Sequence, residues 1–205
     1  MSDEEHPAAG EAGLVPTERT LGFTLLVGGA RSGKSSLAVR LAVASRCPVT
    51  FVATAGAGDD DMAARIAHHR AERPAHWTTV EEEVDLLAAV ERIDAGSSRD
   101  DGAMSFVVVD CVTMWVANLL GAGRSDDQVR QAAVALGDGL AGRAAASVVI
   151  ANEVGMGIHP ETELGRRYRD LLGWVNADLA ARARRSLLLV AGRALRLEEP
   201  MDLVA

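Results

Sequence analysis

The chain has 205 residues, 48% of them apolar, which is enough for one sizeable core and short for two. With 29 acidic against 21 basic residues its net charge is −8, and no Lys/Arg-dense stripe offsets it, which excludes nucleic-acid backbones and anionic membrane surfaces as partners. The two cysteines, Cys47 and Cys111, are too few for a disulfide framework and fit a reducing, cytoplasmic setting.

Residues 1–20 are acidic, contain Gly and Pro and lack an apolar run, so they read as a disordered leader rather than a signal peptide or anchor. Residues 21–205 form the expected domain. Five short, continuously apolar runs there read as strands buried on both faces: "TLLVGG" (24–29), "PVTFVATA" (48–55), "SFVVVD" (105–110), "SVVIANEV" (147–154) and "SLLLVAG" (186–192). Helical spacing fills the gaps at 34–45, 60–73, 81–92, 112–122, 126–145 and 160–184, with an aperiodic loop over 94–105. This alternation predicts an α/β fold with a mostly parallel sheet flanked by helices, whose ligands bind beyond the carboxyl ends of the strands.

After the first run comes "GGARSGKS", Gly28, Gly29, Ala30, Arg31, Ser32, Gly33, Lys34 and Ser35, which fits G-x-x-x-x-G-K-[ST] between a strand and a helix. Such a loop wraps backbone amides around phosphate oxygens, with Lys34 reaching the β/γ-phosphates and Ser35 ligating Mg²⁺. A plain glycine-rich turn is the alternative, but it gives no reason for Lys34-Ser35 or for the two flanks. "SFVVVD" adds a strand ending in Asp110, a second oxygen ligand for the metal. Alone, an Asp there reads as a helix cap; after a phosphate loop the metal role is favoured.

The segment "RIAHHRAERPAHW" (65–77) holds three of the five histidines. Adjacent helical residues point about 100° apart, so His68 and His69 cannot share one zinc ion without strain. On a wheel Met62, Ile66, His69 and Arg73 form one side, while Asp61, Arg65, His68 and Glu72 form another. His69 is then structural. His68 lies between Arg65 and Glu72, a setting suited to a nucleophilic imidazole, although a solvated surface histidine has the same pattern. His76-Trp77 reads as a packing pair, and Glu81, Glu82 and Glu83 as the acidic first turn of a helix. "NEVGMGIHP" (152–160) is either a ligand-touching loop or a strand-capping turn. "RRYRDLLGWVNADL" presents Arg166, Arg169 and Asn176 to a partner or substrate, or else a solvated face.

Together "GGARSGKS", "FVATA", "DDDMAARIAHHRAERPAHWTTVEE", "VVVDCVTMWVANLL" and "NEVGMGIHPETELGRRYRDLLGWVN" resemble the bifunctional adenosylcobinamide kinase/adenosylcobinamide-phosphate guanylyltransferase family of cobalamin biosynthesis, from about residue 23 to 197. The resemblance implies a RecA-like P-loop NTPase fold in one domain, often trimeric. It also implies two steps: phosphorylation of the adenosylcobinamide aminopropanol hydroxyl by ATP or GTP, then GMP transfer from GTP through a guanylyl-histidine. By residue matching it implies that His68 is the modified histidine. Gly28 to Ser35, Ala53, Thr54, Ala55, His69, Arg70, Ala71, Glu72, Glu81 and Asp110 would then lie around nucleotide or metal. The C-terminal "VNADLAARARRSLLLVAGRALRLEE" departs from the family pattern, lacking a Gln after Asn176 and a final Lys. A kinase of another small alcohol is the alternative enzyme. A nucleotide-dependent switch is the non-enzymatic one, and it lacks N-K-x-D and D-x-x-G motifs.

Overall fold

The computed structural model describes residues 21–56, 73–97 and 104–204. Strand β1 (Phe23–Gly28) runs into the phosphate loop and helix α1 (Lys34–Ser45), and β2 (Val49–Ala53) follows. Beyond the second described segment's start come β3 (Thr78–Glu81), α2 (Leu86–Ser97), β4 (Phe106–Asp110) and α3 (Val112–Gly121). Then follow α4 (Asp126–Gly142), β5 (Ser147–Asn152), α5 (Glu163–Ala180), β6 (Arg185–Val190), β7 (Arg193–Leu197) and a short 3₁₀ turn (Pro200–Leu203). The expected leader, residues 1–20, and most of the expected helix over 60–73 lie outside the described residues.

The strands form one seven-stranded sheet in the order β3-β2-β4-β5-β1-β6-β7. All neighbouring pairs are parallel except β6 with β7. The α/β class, with a mostly parallel sheet flanked by helices, therefore holds. Each interior strand is apolar on successive residues because both its faces are covered. On one face Leu25, Val52, Val107, Val109 and Val149 pack under α2 to α5, with Trp115, Leu136, Leu171 and Leu179 among the contacts. On the other, Leu26, Phe51, Val108, Ile150 and Leu189 pack with Ala38 and Ala42 of α1 and with Trp77.

Local chemistry sets the helix ends. Ser125 and Gln128 form a reciprocal capping box at the start of α4, and the Thr162 side chain accepts from Gly165 N at the start of α5. At the amino edge of the sheet Arg143 holds both Asp94 carboxylate oxygens and donates to Ser105 O at 2.8 Å. Its side chain is buried and pins α4 and α2 to the base of β4.

Two expectations need correction. The helix expected over 81–92 starts only at Leu86, and residues 78–81 form a strand. The reason is that the Glu82 carboxylate caps a turn, accepting from Val84 N at 3.1 Å and Asp85 N at 2.9 Å, which holds Glu81–Glu83 out of helical conformation. The last apolar run is shorter than expected and is followed by a hairpin: Ala191 and Gly192 both have positive φ, as a two-residue turn requires, and β7 returns antiparallel. Of His76 and Trp77, the tryptophan is buried and the histidine exposed.

Candidate active site

The parallel register brings the ends of five strands to one edge. Ala53 of β2 is paired with Glu81 of β3 on one side and Asp110 of β4 on the other, while Gly28 of β1 is paired with Asn152 of β5. Two strand spacings, about 10 Å in all, separate Asp110 from Glu81 at the backbone, and β5 stands between β4 and the phosphate-loop strand. The phosphate loop, Ala53 to Ala55, Glu81 and Asp110 therefore share the carboxyl edge that the sequence assigns to ligands. His68, His69, Arg70, Ala71 and Glu72 lie outside the described residues.

Two glycines explain the path of the phosphate loop. A Cβ on Gly28 would collide with the Leu189 carbonyl oxygen and come within 2.9 Å of Ser32 Oγ, so only glycine lets β6 and the loop close so tightly. Gly33, at φ 98°, takes the left-handed conformation that turns the chain into α1. The hairpin turn helps from the other side, with Gly192 N donating to Ser32 O at 3.1 Å.

Lys34 opens α1 and is only 7% exposed. Its ammonium donates to Gly28 O at 2.8 Å, Gly29 O at 2.7 Å and Ser32 Oγ at 3.3 Å. Burial lowers its pKa below the ordinary lysine value, while the Asp110 carboxylate pulls the other way. Among the described residues its hydrogen-bond partners are thus neutral oxygens. An anion arriving in the loop would replace weak acceptors with charged ones.

Next to it Thr54, fully buried, ties the ends of β2 and β4 together. Its hydroxyl donates to Cys111 O and accepts from Cys111 N, both at 2.8 Å, and Thr54 N donates to Asp110 O at 3.1 Å. Thr54 therefore positions Asp110 through the backbone rather than offering its own side chain outward. Asn118 of α3 adds a second tie, donating to Thr54 O at 2.8 Å and Glu83 O at 3.0 Å. No sequence signal singled out Asn118, because an asparagine in an apolar helix reads like any buried polar residue. Burial pushes the Cys111 thiol up to about 11, helped by the Asp110 charge, so it stays neutral and is a poor nucleophile.

The residues present suit Mg²⁺. The Ser35 hydroxyl and the Asp110 carboxylate are hard oxygen donors, each partly exposed at this edge. Among the described residues no group of three or more His, Cys, Asp or Glu can hold a metal, so Ser35 and Asp110 supply only part of a shell. Mg²⁺ characteristically takes the rest from phosphates and water.

Glu153 shapes its own turn, its carboxylate accepting from Gly155 N and from Met156 N. Asn176 is buried, contrary to a role on an exposed face; its Nδ2 donates to Asn152 O at 3.0 Å, and its Oδ1 has no hydrogen-bond partner among the described residues. Arg166 donates to the carbonyls of Pro160 and Glu161, and Arg169 meets His159 Nδ1 at 2.7 Å.

The family model described as cobinamide kinase / cobinamide phosphate guanyltransferase matches residues 24–197. The chain is 44% identical over 181 residues to the bifunctional adenosylcobalamin biosynthesis protein CobP of Pseudomonas aeruginosa, covering 86% of this chain and 98% of that protein. It is 40% identical to the bifunctional adenosylcobalamin biosynthesis protein CobU of Escherichia coli over 186 residues, and 40% identical to that of Salmonella typhimurium over 188 residues. Each of these two matches covers 85% of this chain and 98% of the relative.

Proposed function

Since this chain belongs to the cobinamide kinase / cobinamide phosphate guanyltransferase family, we propose that its phosphate-loop edge serves both a phosphoryl and a guanylyl transfer in adenosylcobalamin biosynthesis. The protein is a bifunctional transferase that uses nucleoside triphosphates on a small-molecule substrate.

In the first step the aminopropanol hydroxyl oxygen of adenosylcobinamide attacks the γ-phosphorus of ATP or GTP, the β–γ bridging bond breaks, and the nucleoside diphosphate leaves as the hydroxyl gives up its proton. Lys34 and the amides of Gly28 to Ser35 hold the phosphates, and Ser35 and Asp110 would hold Mg²⁺. The ion, when bound, supplies charge neutralisation on the phosphate oxygens. In the second step the neutral imidazole of His68 attacks the α-phosphorus of GTP and pyrophosphate leaves. A phosphate oxygen of adenosylcobinamide phosphate then attacks the guanylyl-histidine phosphorus, the N–P bond breaks, and adenosyl-GDP-cobinamide forms. Covalent catalysis splits one difficult displacement into two with a good leaving group in each.

The neighbours are assigned by likeness to the family. Ala53, Thr54 and Ala55 line the edge between Asp110 and Glu81, and Glu81 contacts guanine nucleotide or metal. His69, Arg70, Ala71 and Glu72 flank His68 along the nucleotide. The working form is a homo-oligomer, a trimer by likeness to the family, in the cytoplasm and without nucleic-acid partners. Among the described residues no helix is long and apolar enough to cross a membrane.

The observation that carries this reading is the convergence of the phosphate loop, Asp110 and Glu81 on one sheet edge within the span the family model matches. Its test is adenosylcobinamide supplied with γ-labelled ATP or GTP, and then with α-labelled GTP. Label from both positions should enter the corrinoid in succession; γ-label alone would mean a single-activity kinase.

A further inference from the structure

The geometry points to a seat for the corrin ring on the loop between β5 and α5, residues 153–162, with the Met156 and Ile158 side chains as its apolar contacts; this rests on the kinase reading above. The loop begins at the phosphate site, since Glu153 N donates at 3.1 Å to the same Gly28 carbonyl that binds Lys34. A fully extended chain puts Met156 at most about 11 Å from Glu153 and Ile158 at most about 18 Å, so both stay on the rim of the site.

The loop is tied by its own polar groups. The Glu153 carboxylate takes Gly155 N and Met156 N, Arg166 holds the Pro160 and Glu161 carbonyls, Arg169 meets His159, and Thr162 receives Gly165 N. Among its exposed residues Met156 and Ile158 are the large apolar ones, beside the polar His159, Glu161 and Thr162. Ile158 is 96% exposed, more than any other large apolar side chain among the described residues, and Met156 is 76% exposed. Leu164, in the first turn of α5, is also exposed. Large apolar side chains held in water by a tied loop mark a preorganised binding surface.

The size of the substrate selects the occupant. The loop that would take the phosphates closes so tightly on β6 that Gly28 has no room for a Cβ, so a macrocycle stays outside it. With the hydroxyl at the γ-phosphate, the ring must lie over the rim, and the rim's apolar side chains fit its methyl-bearing face. Methionine's flexible thioether suits an irregular, curved partner of this kind.

The test is the full-length double variant Met156→Ser/Ile158→Ser. Both side chains are exposed, so folding is preserved. The KM for adenosylcobinamide in the kinase step should rise about tenfold or more, the corrinoid Kd from an absorbance titration should rise in parallel, and the Kd for GTP should stay at the wild-type value. Ile158→Leu should keep wild-type KM. An unchanged KM and corrinoid Kd would overturn the seat. So would a change in solution mass, which would mark the loop as a contact between copies. Wild-type protein that binds GTP but does not phosphorylate adenosylcobinamide would instead bring down the kinase reading on which the seat depends.

Discussion

Two buried cations sit at opposite edges of the sheet. Arg143, 5% exposed, faces the Asp94 carboxylate at 2.6 Å and has further partners in Ser105 and Ser147. Lys34, 7% exposed, has two carbonyls and a hydroxyl among the described residues. Burying a charge without a counter-charge is expensive, and the fold meets that cost at the amino edge with a carboxylate. At the carboxyl edge no carboxylate among the described residues is bonded to Lys34, and the Asp110 charge offsets its burial only in part, so its pKa is lowered. The difference separates a cation that holds the structure together from one that, on the proposed function, awaits an anionic ligand.

The sharpest way to break this contrast is Lys34→Met. Phosphoryl transfer should fall about 100- to 1,000-fold, the loss typical of removing one charge-stabilising donor, while the melting temperature stays level or rises because an uncompensated charge has gone. A marked drop in melting temperature would mean that Lys34 is structural. Arg143→Met should do the reverse. Denaturant titration should show a loss of about 3 kcal/mol as Asp94 is stranded, with kcat of the folded enzyme unchanged. Reduced kcat at full stability would erase the distinction between the edges.

Thr54→Val tests whether the carboxyl edge is itself held rigidly. Removing a hydroxyl that serves both Cys111 N and Cys111 O should cost about 1–3 kcal/mol, and the loosened Asp110 should lower kcat, both read from one preparation. The smallest effect is in pH. Lys34 has its pKa lowered on folding from 10.5, so between the lowered value and 10.5 the unfolded chain binds more protons and the stability of the nucleotide-free protein rises with pH. Nucleotide binding needs the charged amine, so affinity should fall as pH rises through the lowered value, an alkaline limb that Lys34→Met lacks. Isothermal titration across this range reads it directly.

Much of this architecture was legible in sequence because the signals were local. Continuous apolar runs announced β1, β2, β4, β5 and β6, and the spacing from Gly28 to Ser35 announced the loop between β1 and α1. β3 was hidden because "TTVE" is short, edge-placed and followed by more acids, which imitate a helix's first turn; only the turn closed by the Glu82 carboxylate decides otherwise. β7 was hidden because every residue of it is exposed, so it lacks the apolar signature of its neighbours. Asp110 and Lys34 were readable from position alone. The roles of Thr54 and Asn118 were not, since each depends on a partner more than 50 residues away, Cys111 for Thr54 and Thr54 for Asn118.

The guanylyl-histidine proposed above puts nucleotide on His68. Wild-type protein and His68→Ala should be incubated with α-labelled GTP and no corrinoid, then denatured and treated with acid or alkali. Wild-type label should survive alkali and be lost in acid, as a phosphoramidate is, with none on His68→Ala. Unlabelled wild type, or equal labelling of the variant, would contradict it.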